Sequence, residues 1–205
     1  LHYPLRRQRQ MCIRDSLLAD MPNLSFTPQE FVSNLDRLKP RLYSIASSLD
    51  AHPGQVELTV AIVRYNHHGR DRGGLCTVFM ADSAPLNEKT IPMFMSPTRS
   101  FVLPKNGDTD IIMVGPGTGI APFRAFVEQR EFDKSTGRNW LFFGDQHEAT
   151  EYYYKDQIET WLDDGTLYKY TTAWSRDQAE KIYVQNRMLE YGEEIWEWIN
   201  MQMTQ

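Results

Sequence analysis

Cysteine is nearly missing from this 205-residue chain, which has only Cys12 and Cys76. Two thiols so far apart form neither a disulfide framework nor metal-ligand spacing, so no metal is expected and a reducing cytoplasm is the natural setting. Positive charge is also in short supply. Twenty-two Lys and Arg stand against 27 Asp and Glu, a formal net charge of −5. That balance leaves no broad basic surface for nucleic acid, and any anion site must be a local cluster. No apolar run approaches 18 residues, so no membrane-spanning helix and no membrane partner are expected. Glycine (12) and proline (11) are at ordinary levels, which excludes collagen-like and low-complexity classes. What remains is a chain 41% hydrophobic, enough for one large domain or two small ones with real cores.

The two ends read differently from the middle. The first sixteen residues, LHYPLRRQRQMCIRDS, carry four arginines and one aspartate but no apolar core, which argues against a secretory leader. They read as a disordered or non-native tail and are set aside. At the other end GEEIWEWINMQMTQ completes a helical pattern with no later strand, so the expectation is a chain truncated at both ends.

Between them two grammars follow each other. In TPQEFVSNLDRL, Thr27 can cap a helix, Pro28 suits its first position and Glu30 completes a capping-box spacing. Runs at 41–48 (RLYSIASS), 55–65 (QVELTVAIVRY) and 75–83 (LCTVFMADS) read as strands separated by turn residues, so 17–105 reads as part of an antiparallel β-barrel. After PKNGD (104–108) the pattern changes. Strands at 110–114, 139–144 and 167–175 alternate with helices near 120–131, 153–165 and 184–199, the spacing of a parallel α/β sheet over 106–205.

Four stretches carry chemistry. In VGPGTGIAPFRAF, Gly115, Gly117 and Gly119 stand at spacing two and two, and Ile120 occupies the place of the third glycine in the dinucleotide fingerprint. The stretch is either an anion cradle at a helix start or a tight turn without a ligand. In RLYSIASS, Arg41 offers a fork for phosphate, Tyr43 a ring face and Ser44 a hydroxyl, although a plain strand has the same sequence. Gly74, Leu75, Cys76 and Thr77 follow Gly73, and their amides can face a phosphate or close a hairpin. In AWSRDQAEKIYVQ, Ser175, Arg176 and Lys181 lie just past a parallel strand, where nucleotide sites gather; they either meet a phosphomonoester or are plain solvated charges.

Taken together, RLYSIASS, GGLCT, GPGTGIAPFRAF, NWLFFGD and AWSRDQAEKIYVQ resemble the ferredoxin–NADP reductase-like module of diflavin reductases, over roughly 38–200. Within that group the wording is most similar to the flavoprotein subunits of bacterial NADPH–sulfite reductases. The resemblance implies that Arg41, Leu42, Tyr43, Ser44, Thr59, Val60, Ala61 and Tyr65 bind FAD. In it Tyr43 and Ser44 are nearest the reacting ring, while Gly74, Leu75, Cys76 and Thr77 supply pyrophosphate amides. Gly115, Gly117 and Thr118 would receive NADPH, and Ser175, Arg176, Lys181, Tyr183 and Gln185 its adenosine and 2′-phosphate. The cations in that last group agree with NADPH in place of NADH.

The implied activity is hydride transfer from NADPH to FAD. Implied partners are a flavodoxin-like FMN domain and a sulfite reductase haemoprotein subunit, with a cytochrome P450-type haem acceptor or a non-catalytic nucleotide-binding module as the alternatives. Three departures stand out. The Cys-Gly-Asp segment of such reductases is not in this sequence, nor is a flavodoxin segment, and Val102 stands where relatives often carry Arg.

Overall fold

A computed structural model describes residues 21, 23, 25–33, 35, 38–67, 69–86, 88 and 90–203; the expected tail 1–16 lies outside them. The described residues pack as two units. One comprises residues up to Arg41 together with Ile62–Ile91, the other Leu42–Ala61 together with Pro92 onward.

In the first unit the capping box is present. The Thr27 backbone N–H donates to Glu30 Oε2 (2.9 Å) and the Glu30 N–H to Thr27 Oγ1 (3.3 Å), so both ends of the motif are satisfied at the start of helix α1, Pro28–Ser33. Strands β1 (Arg64–His67) and β2 (Arg70–Gly73) form an antiparallel ribbon with Arg64 opposite Gly73 and His67 opposite Arg70. The strand expected at 75–83 is instead helical, as α2 (Leu75–Val78) and a π-helical turn (Phe79–Ser83). Its β-branched and aromatic residues suggest a strand, but hydrogen bonding overrides them. The Gly74 N–H donates to Val63 O (2.8 Å), the Val63 N–H donates to Thr77 Oγ1 (3.2 Å) and the Val78 N–H donates to Gly74 O (2.8 Å). The chain is curled back onto Val63 before it can extend.

The second unit is built on a parallel sheet in the order β3 (Ile111–Val114), β4 (Asn139–Asp145), β5 (Lys169–Trp174). Ile111 pairs with Asn139 and Trp140 with Lys169, so the three strands run in step. The central strand reads NWLFFGD with six of its seven residues buried, as a parallel strand covered on both faces requires. Alternate side chains go to opposite cores. Leu141 and Phe143 join Met113, Ile120, Val127, Ile158, Trp161 and Leu167. These come partly from helices α3 (Ala121–Phe132) and α5 (Lys155–Asp163), which lie on either side of a short α4, Glu148–Glu151. Trp140 and Phe142 join Ala173, Val184 and Trp198 on the other face, under α6 (Val184–Glu190) and α7 (Gly192–Met203). Trp140 also donates from Nε1 to Thr171 Oγ1 at 2.9 Å, so its one polar atom is satisfied inside the core.

Segment 42–61 belongs to this same unit. The strands expected at 41–48 and 55–65 meet at a single antiparallel bridge, Ile45 with Leu58, supported by the Ala46 N–H to Glu57 O (2.7 Å) and the Glu57 N–H to Ser47 Oγ (2.9 Å). Side chains from α3 hold the rest of it in place of a longer ladder. Antiparallel pairing in the first region and a parallel sheet in the second are therefore both present.

Candidate functional site

The glycine loop lies between the end of β3 and α3. The Gly115 N–H donates to Phe142 O (2.9 Å), and a Cβ at Gly115 would stand 2.6 Å from Gly119 O and from the Phe123 ring. No side chain fits there. Gly117 has φ +57, a left-handed turn, and opens a 3-10 turn, Gly117–Ile120, that runs into α3. Ile120, 1% exposed, lies in the core cluster beside Val127 and Leu141. In the ordinary fingerprint the third glycine allows close packing of helix on strand. Here that position holds a buried isoleucine that packs into the core in place of a glycine.

At the carboxyl ends of the strands is a cleft of about 410 Å³ lined by Pro116, Gly117, Gly144, Asp145, Gln146, Ala173, Ser175, Arg176, Lys181, Tyr183, Val184 and Gln185. Six of the residues singled out for NADPH thus surround one space: Gly117, Ser175, Arg176, Lys181, Tyr183 and Gln185. Buried Gly115 and exposed Thr118 lie in the adjoining loop but do not line it. The loop after β5 is held by its backbone. The Ser175 N–H donates to Asp145 O and the Arg176 N–H to Gln146 O, each at 2.9 Å. Both cations are exposed, and among the described residues neither Arg176 nor Lys181 is engaged in an ion pair. Tyr183 begins α6 with its N–H donating to Asn186 Oδ1 (2.9 Å).

A tie not foreseen from sequence braces this loop. Asp177 accepts from the Glu148 N–H at 2.9 Å, and its other oxygen lies 2.8 Å from His147 Nδ1. The Glu148 amide and then His147 hold its carboxyl below the usual carboxylate range. Neither residue carries a sequence signal, since an exposed Asp after an Arg is ordinary.

The remaining candidate residues divide between the units. In the first, Arg41 is exposed and donates to Lys39 O, Tyr65 on β1 stands opposite Arg72, and Gly74, Leu75, Cys76 and Thr77 share one helical turn with Thr77 buried. In the second, Leu42, Tyr43 and Ser44 precede the Ile45–Leu58 bridge and Thr59, Val60 and Ala61 follow it. Antiparallel pairing sets Ser44 and Thr59 on the same side of the bridge. Tyr43 is half-buried and Ser44 exposed, whereas Thr59 Oγ1 is committed to Tyr154 Oη at 2.6 Å.

Sequence comparison gives the class first. Residues 6–79 match the family described as FAD binding domain and 113–204 the family described as oxidoreductase NAD-binding domain. The chain is therefore similar to both kinds of domain, the FAD-binding match preceding the NAD-binding one. The particular relatives are flavoproteins of one kind. The chain is 48% identical over 183 residues to the sulfite reductase (NADPH) flavoprotein alpha-component of Bacillus subtilis, covering 89% of this chain and 30% of that protein. It is 46% identical over 188 residues to the same component of Salmonella arizonae, covering 89% and 31%, and 45% identical over 172 residues to that of Escherichia coli K12, covering 84% and 28%. The chain thus spans under a third of these relatives' length. Among the described residues no helix is long and apolar enough to cross a membrane.

Proposed function

We propose that this chain is the FAD- and NADPH-binding part of a cytoplasmic flavoprotein reductase, with FAD residues within 17–105 and NADPH residues within 106–205. The observation that carries the reading is the cleft where Arg176 and Lys181 offer uncommitted cations beside Gly117 at the strand ends. A ribose-binding carboxylate would favour NADH, whereas two cations favour the 2′-phosphate of NADPH. The donor set fits the nucleotide: a backbone cradle closed to any Cβ at Gly115, a hydroxyl at Ser175 and rings at Tyr183.

For FAD, Tyr43 would offer its ring face and Ser44 its hydroxyl, and Arg41 would meet phosphate. Gly74, Leu75, Cys76 and Thr77 would present the amides, with Leu42, Thr59, Val60, Ala61 and Tyr65 lining the rest. When bound, the flavin supplies a two-electron acceptor that can release its electrons singly, with the balance NADPH + FAD + H⁺ giving NADP⁺ + FADH₂. The protein's own contribution is alignment. Gly115, Gly117 and Thr118 would hold one nucleotide end, Arg176 and Lys181 the other, and the two rings would then meet without a chain residue acting as acid or base. Onward transfer through an FMN domain to a sulfite reductase haemoprotein belongs to the same proposal and rests on the relatives' names.

The test uses the full-length protein loaded with flavin. NADPH should bleach the yellow colour and NADH should not do so at equal concentration. Arg176→Ala should weaken NADPH by about 2 kcal/mol, near thirtyfold, and leave NADH unchanged. Equal losses for both nucleotides sink the 2′-phosphate assignment; FAD binding without bleaching points to a nucleotide-binding module instead.

A further inference from the structure

Arg124 carries no role in the sequence reading, yet it is 7% exposed and meets several separate segments of the chain. It lies one turn into α3, directly after the glycine loop. Its Nη1 donates to Ala46 O (2.7 Å) and pairs with Glu57, its Nη2 lies 2.8 Å from Glu128 Oε1, and its Nε donates to Gln157 Oε1 at 2.6 Å. The guanidinium stands 4.5 Å over the Tyr154 ring, and Tyr154 Oη meets Thr59 Oγ1. Glu128 extends the joint, since its other oxygen accepts from the Ser48 N–H at 2.9 Å.

These contacts have a common geometry. Ala46 comes two residues after Ser44, Glu57 two before Thr59, and Ile45 and Leu58 between them form the antiparallel bridge. One planar fork therefore fixes both strands of that bridge to the helix that the glycine loop opens. Burial of such a charge cluster is seldom a net gain in stability, and an apolar patch of the same volume would hold segment to helix as firmly. What an apolar patch lacks is direction: a guanidinium with several partners permits one placement.

We infer that Arg124 is a positioning residue for hydride transfer, setting the distance between the peptide ends carrying Tyr43, Ser44 and Thr59 and the loop carrying Gly115 and Gly117. This rests on the reductase reading above. A misplacement of about 1 Å between reacting rings costs up to about a hundredfold in rate, while binding of either nucleotide through its phosphates is nearly indifferent to it.

The experiment compares the full-length holoprotein with Glu57→Gln and Arg124→Lys. The Glu57 side chain is 42% exposed, so its substitution leaves the buried Arg124–Glu128 pair intact and the fold safe. Four quantities are read: FAD content, NADP⁺ dissociation constant, the change NADP⁺ makes in the flavin absorption band, and the bleaching rate at saturating NADPH. The expected result is FAD content and NADP⁺ affinity within about twofold of the parent. The absorption change should be altered and bleaching slowed roughly tenfold in Glu57→Gln and more in Arg124→Lys. Parental bleaching rates in both variants overturn the inference, as does slow bleaching fully accounted for by lost FAD or NADP⁺ binding. A parent protein that holds FAD but never bleaches overturns the reductase reading itself, and the inference with it.

Discussion

Tyr170 shows how much one atom can weigh. It stands on β5 with its ring 6.2 Å from Phe143 and 5.7 Å from Tyr152, and its hydroxyl is buried with no hydrogen-bond partner among the described residues. Burial, and then Tyr152, push its ionisation upward, so it stays protonated at any ordinary pH. Tyr170→Phe keeps the ring and removes the stranded hydroxyl. We expect a gain of about 1 kcal/mol, read as a higher urea midpoint at unchanged slope; a lower midpoint would show the hydroxyl to be satisfied. At this scale the sequence was legible where residue type and place coincide. Ser175, Arg176 and Lys181 were readable because they follow a parallel strand, where ligand clefts form. Arg124 was not, because its partners Ala46 and Glu57 are 78 and 67 residues away and only Glu128, one helical turn on, is local.

Elements were legible in proportion to how far their own periodicity decided them. NWLFFGD could hardly be anything but a buried central strand, and the capping box at Thr27 and Glu30 is complete within four residues. Segment 75–83 failed because Val63 curls it into a helix, information that lies outside the segment. The loop from Ser175 to Lys181 is likewise set from outside, by His147 and Glu148, which hold its Asp177. A carboxylate whose native pKa is depressed contributes above its unfolded value, and that contribution is lost as pH falls through the native one. The tie from Asp177 to Glu148 therefore persists at neutral pH and opens only below the ordinary Asp range. The Glu148 amide resonance should titrate with a midpoint below 3.8, the ordinary Asp value, and Asp177→Asn should abolish that step. A midpoint at or above 3.8 contradicts the tie.

For the molecule as a whole, packing does not follow chain order. Segment 42–61 lies within the first half of the sequence but packs with the α/β sheet. A piece made as 106–205 would strip Arg124 and Glu128 of Ala46, Ser48 and Glu57. We expect it to be less stable than a 42–205 piece by about 1–3 kcal/mol, the cost of polar groups left unmatched. Thermal unfolding followed by circular dichroism checks this, and equal midpoints for the two pieces would refute it.

The bond from the Ser48 amide to Glu128 spans 80 residues. At translation speeds of about 5–20 residues per second, Ser48 is added to the chain roughly 4–16 s before its acceptor. For that interval the Ala46 carbonyl and the Glu57 carboxylate have no Arg124 to meet. The joint that aligns the finished protein thus waits on α3, and the polar groups of segment 46–57 stay in water until it arrives.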